Sequence, residues 1–145
     1  MSSPYKQAKI TLENTDDDGN PESITVRGLY SEKHGLHSVK FTEHNGDGET
    51  TETHLVINEN ENRAMLTRRG FVNHKMQFDP GRKETIYYET PYGGLNMETN
   101  TDSVRFTPRS KGFDCRIIYT VFLCGTPGRA DRHDMIIKVR CIDQP

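Results

Sequence analysis

Apolar residues recur at alternate positions along nearly the whole chain, in short runs separated by turn residues. Ile10 and Leu12 alternate with Lys9, Thr11 and Glu13, and Ile24, Val26, Gly28 and Tyr30 share the next face. Val39, Phe41 and Glu43 follow, then Thr53, Leu55 and Ile57, then His74, Met76 and Phe78, then Ile86, Tyr88 and Thr90. Leu95, Met97 and Thr99 predict an eighth strand, and Val104 and Phe106 a short ninth. Phe113, Cys115, Ile117, Tyr119, Val121 and Leu123 make the longest run, and Met135, Ile137, Val139 and Cys141 close the series. A period of two places each set on one face of a strand. Only the fifth run, residues 63–69, is ambiguous, because Ala64 and Leu66 oppose Met65. Its facing decides whether Arg68 or Arg69 points inward, and a one-residue bulge would exchange them.

The breaks carry turn chemistry: Asp16-Asp17-Asp18-Gly19-Asn20-Pro21, His34-Gly35, Asn45-Gly46-Asp47-Gly48, Asp79-Pro80-Gly81 and Pro91-Tyr92-Gly93-Gly94. Such residues supply positive φ or a fixed φ at tight reversals. About ten or eleven strands at this spacing predict an all-β antiparallel sandwich or barrel. Closure into a barrel is preferred because it removes the sheet edges. No helix-period stretch competes.

The chain has 145 residues, which fits one domain over 1–145, with residues 1–6 and the loop Pro127–His133 expected to be flexible. Apolar residues make up 32% and Trp is absent, a lean core that a half-solvated sheet tolerates. Net charge is −2, so no global field draws nucleic acid or an anionic membrane. No apolar run is long enough to span a bilayer as a helix. The first residues hold no apolar signal segment, and three cysteines match no zinc pattern; both features fit reduced thiols in the cytoplasm.

The central block is the most specific part: Arg69-Gly70, Met76-Gln77-Phe78, Tyr88-Glu89-Thr90, Pro91-Tyr92-Gly93 and Met97 through Thr101. Upstream stand Asp18-Gly19, Gly28-Leu29-Tyr30-Ser31-Glu32-Lys33 and Phe41-Thr42-Glu43. In this order the chain resembles the DUF1934, or YwiB-like, family of uncharacterised bacterial proteins. The resemblance implies a calycin-like barrel similar to lipocalins and fatty-acid-binding proteins, and no known activity. The chain departs from the family at Phe41, where Tyr is usual, and over 125–134.

Candidate chemistry lies among inward polar residues. Glu43 shares a face with Val39 and Phe41, so its carboxylate needs a cation or donors. The expected partners are Arg69 or the Tyr88 hydroxyl. Glu43, Arg69, Tyr88 and Tyr92 would set polar contacts, with Phe41, Met76, Phe78 and Tyr119 as apolar walls. Either a polar plug fixes the barrel's register, or these groups anchor one small ligand.

The other motifs read as structure. His34 and His37 straddle a turn and read as solvated, as do the other histidines except His74, which faces inward beside a tyrosine. The Asp16–Asn20 segment lacks the bidentate Glu of a calcium loop. Arg63, Arg68, Arg69, Lys75, Arg82 and Lys83, with Phe71, read as a solvated face rather than an RNA-binding patch. No phosphate loop or nucleophile elbow appears. The expectation is a non-enzymatic small-molecule binder without metal or cofactor. Its partner is a small polar or amphipathic ligand, not nucleic acid or membrane. The alternative is a filled barrel acting as an interaction module or homodimer, with an enzyme third.

Overall fold

The computed structural model describes residues 5–124 and 130–142, and within them strands and turns only. Ten strands form: β1 (Lys6–Thr15), β2 (Pro21–Lys33), β3 (Leu36–Gly46), β4 (Glu49–Asn58), β5 (Arg63–Gly70), β6 (His74–Phe78), β7 (Lys83–Thr90), β8 (Gly93–Arg109), β9 (Gly112–Leu123) and β10 (Ala130–Cys141). They join in one antiparallel sheet in the order β6-β5-β4-β3-β2-β1-β10-β9-β8-β7. Chain neighbours are sheet neighbours nearly throughout, and β1 pairs with β10 to join the two ends of the chain. The remaining seam, between β6 and β7, is bridged by Asn73 and Glu89, whose backbones exchange two hydrogen bonds of 2.9 Å. A parallel bridge between Pro80 and Thr101 adds a second stitch. The result is a nearly closed barrel.

The alternation maps onto the two faces as read from the chain. Ile10, Val39, Leu55, Ile57, Phe78, Phe113, Ile117, Ile137 and Val139 are buried in one continuous core. At His34-Gly35 both residues take positive φ, 53° and 82°, the backbone twist a two-residue hairpin needs. The Asp16–Asn20 segment is a plain turn, its Asp16 carboxylate accepting from the backbone N–H groups of Asp18 and Asn20.

Two expectations change. The eighth and ninth runs are one strand, β8, whose register slips between Thr101 and Ser103. That bulge moves the inward set from odd positions (Met97, Thr99, Thr101) to even ones (Val104, Phe106), which is why one strand resembled two in sequence. Lys6 opens β1, and Ala130–His133 belong to β10, so these parts of the expected flexible segments are ordered in the sheet. Residues 1–4 and 127–129 lie outside the described residues. In keeping with the reading of reduced thiols, Cys115 is free and fully buried, and burial pushes its thiol up to about 12.

The sheet is not uniform around its circumference. β2 pairs with β3 only from Leu29↔Lys40 to Lys33↔Leu36, while Pro21–Gly28 has no partner on that side. Gly28 sits where the two strands part. A Cβ there would lie 2.4 Å from the Lys40 carbonyl oxygen and 2.5 Å from Ile10 Cδ1. Only a hydrogen fits. Gly28→Ala is therefore expected to destabilise the fold by roughly 1–3 kcal/mol through overpacking, measured as a lowered midpoint in urea unfolding; an unchanged midpoint would remove Gly28 from this role.

Candidate functional site

Where β2 leaves β3, a recess of about 510 Å3 opens at one end of the barrel. It is lined by Ile24, Thr25 and Val26 of β2, Glu43 and His44 of β3, Arg68 of β5, and Val72 and Tyr88 beyond. Strand register places the polar groups. Glu43 faces inward with Val39 and Phe41. Thr53 pairs with Arg68 across β4 and β5, so both point into the lumen, and Glu52 pairs with Arg69, so both point out.

Arg68 is thus the partner of Glu43, in place of the expected Arg69. Its Nε donates to Glu43 Oε2 at 2.9 Å and its Nη2 to Oε1 at 3.2 Å, a forked arrangement. Thr53 Oγ1 donates to Oε2 at 2.8 Å. The side chains are 14% and 20% exposed, respectively for Glu43 and Arg68, so the pair lies inside but within reach of solvent. Arg69 lies on the outer wall of the barrel with Lys40, Glu52, His54 and Lys75. The remaining basic residues of that region stand beside acids: Arg63 by Glu61, Arg82 by Asp79 and Glu84, and Lys83 by Glu98.

Tyr88 makes no bond to Glu43. It stacks on His74 with ring centroids 4.8 Å apart. His74 is buried, and its Nε2 lies 3.3 Å from Arg68 Nη1. A guanidinium only donates, so Nε2 accepts and the ring proton is on Nδ1, which is buried without a partner. Burial, then the Arg68 charge, hold the imidazole neutral, its pKa lowered to about 4. With its lone pair engaged, His74 has no free site to act as a base. Tyr119, Met76, Phe78 and Phe41 are buried in the core and are not among the residues that line the recess. Tyr119 stacks on His133, and Phe78 packs against Tyr119. Tyr92, expected among the polar contacts, is 93% exposed at the tip of the β7–β8 hairpin. Inside a turn, strand parity has no meaning, and its side chain projects into solvent.

The lumen changes character along its length. At the recess end, the inward-facing Ile24, Leu95 and Leu123 are each more than a third exposed. Below them come the Glu43–Arg68 pair and His74. At the far end, Tyr30, His37, Phe106 and Phe113 pack ring against ring, with centroid separations from 4.4 to 5.9 Å. His37, read from sequence as a solvated turn residue, is 5% exposed, because β3 begins at Leu36 and carries it inward. A trough of about 590 Å3 at that end runs between Glu61, Asp79 and the Asp102–Thr107 stretch of β8. It is open, and each of its acids already has a basic partner: Glu61 has Arg63, Asp79 has Arg82 and Asp102 has Arg132.

Residues 8–135 match the family described as domain of unknown function DUF1934. The chain belongs to that family. Among solved structures it is similar to the ywiB protein from Bacillus subtilis, with a TM-score of 0.78 and 21% identity over 97% of this chain and 95% of that one. That likeness confirms the barrel. No curated protein matches the chain. The family carries no assigned activity.

Two outcomes follow for the DUF1934 barrel. Arg68→Met is expected to cost about 1–3 kcal/mol, less than a fully buried pair because water reaches this one, whereas Arg69→Met stays within about 0.5 kcal/mol. Denaturant unfolding distinguishes them. In acid, unfolding lets His74 take up a proton that the folded state refuses. Stability therefore falls as pH drops from about 6.5 toward 4, by about 2–3 kcal/mol for His74. His54, also lowered by burial, adds in the same direction. His74→Gln should flatten most of that slope; a slope equal to that of the unsubstituted protein would show that His74 titrates normally.

Proposed function

We propose that the protein is a non-enzymatic binder of one small amphipathic molecule, held in the recess between β2 and β3. The observation that carries this reading is the 510 Å3 recess, within the range of small-ligand sites, beside a charged pair. Glu43 and Arg68 neutralise one another, so the site offers hydrogen bonds without net charge. Three of the five N–H donors of Arg68 are engaged by Glu43 and His74. One N–H on each terminal nitrogen is left for a ligand.

A neutral acceptor, such as a carbonyl or hydroxyl, suits those donors. A carboxylate does not, because it would compete with Glu43 for the same guanidinium. The Tyr88 ring and Val72 offer flanking surface for the ligand body and Ile24 an apolar contact within the recess, with Leu95 and Leu123 exposed at the same end of the barrel. Exposed apolar residues on the inward face, confined to the open end, are the signature of a portal rather than of a sealed core.

Native mass spectrometry of protein purified from its own host, together with its Arg68→Met and Tyr88→Ala variants, tests this reading. The expected result is a bound small molecule on the unsubstituted protein that is reduced or lost in both variants while Arg69→Met retains it. An equally occupied Arg68→Met protein, or an unsubstituted protein that carries nothing and shows no thermal shift with neutral amphiphiles, would overturn it.

A further inference from the structure

The opposite end of the barrel holds a second constellation, unconnected with the recess. Glu32 at the end of β2, His37 at the start of β3 and Glu59 after β4 bring one ligand atom each to within 4.8 Å of one another. We propose that Glu32, His37 and Glu59 form a binding site for a divalent transition-metal ion of the zinc class. One imidazole nitrogen and two carboxylate oxygens, with a fourth position open to water, is a donor set that such ions accept.

The site is built rather than incidental. His37 is buried among Tyr30, Phe106 and Phe113, and Tyr30 Oη lies 2.6 Å from its Nδ1. That contact fixes the ring and directs Nε2 at Glu59 Oε1, 3.1 Å away. A metal-bound histidine needs this kind of hold on its second nitrogen. The two turns are tied to each other. Glu59 N donates to the Gly35 carbonyl at 3.0 Å, Asn60 Nδ2 donates to the His34 carbonyl at 3.2 Å, and Gly35 N donates to Glu32 Oε1 at 3.2 Å. Among the described residues, no lysine or arginine forms an ion pair with Glu32 or Glu59.

The 3.1 Å separation of His37 and Glu59 already matches the ~3.3 Å between donors around a tetrahedral ion with bonds near 2.0–2.1 Å. Glu32 is exposed, and rotation of its side chain closes the wider gap. Metal binding also makes a specific demand on His37. Without metal, the protonated Tyr30 hydroxyl donates to Nδ1 and Nε2–H donates to Glu59. With metal, the ring proton moves to Nδ1 and is accepted by Tyr30 Oη, leaving the Nε2 lone pair for the ion. No net proton is released from the ring in this exchange.

The test is calorimetric titration of the chelator-stripped full chain with zinc chloride, with 15N NMR of the histidine rings. The unsubstituted protein is expected to bind one zinc per chain, and His37 to change tautomer on loading. Glu32 is exposed and Glu59 half-buried, and glutamine keeps the shape of each side chain, so Glu32→Gln and Glu59→Gln should fold; each is expected to weaken binding at least about tenfold. His34→Ala and Cys124→Ser, which remove nearby and rival exposed donors, should leave binding unchanged. Failure of the unsubstituted protein to bind zinc, or binding untouched by the two Glu→Gln changes, would overturn the assignment, as would loss on His34→Ala or Cys124→Ser.

Discussion

A carboxylate that strand parity turns into a barrel cannot remain ionised unless a cation reaches it from another strand. Glu43 and Arg68 satisfy that constraint, and much of the molecule is arranged around them. The guanidinium is delivered by the β4–β5 register, which sets Arg68 opposite the inward Thr53. The same guanidinium fixes the tautomer of His74, and His74 in turn supports the Tyr88 ring. Shifting β5 by one residue would place Arg69 inside and leave apolar Leu66 in water. The ion pair and the hydrophobic pattern therefore specify the same register.

From this pair the lumen divides into three levels. The aromatic floor of Tyr30, Phe106 and Phe113 supplies packing and excludes water. The polar middle supplies directional hydrogen bonds. The rim of Ile24, Leu95 and Leu123 stays apolar where an inward face would be expected to end in polar residues. The departure of β2 from β3 above Leu29 gives this gradient its opening.

Facing was legible in the sequence because the side-chain period is two and little interrupts it. Glu43, Thr53, His74, Tyr88 and Tyr119 could all be placed inward from their neighbours. The choice of Arg68 over Arg69 was also present in principle: Ala64 and Leu66 outweigh the single flexible Met65, which tolerates a half-exposed position. Other features were hidden for physical reasons. Tyr92 lies within a reversal, where alternation does not apply. His37 follows a turn so tight that β3 starts one residue before it. The β8 bulge conserves apolar character while exchanging parity, and so resembles a strand break. The gap between β2 and β3 depends on pairing between distant residues, for which Gly28 is the one local sign.

A double-mutant cycle on Glu43→Gln and Arg68→Met, by urea unfolding, tests the central interaction most directly. The doubly substituted protein is expected to be more stable than the sum of the single losses implies, by about 1–3 kcal/mol of coupling. Strictly additive losses would mean that the two side chains do not depend on each other, and the polar middle of the barrel would have to be explained another way.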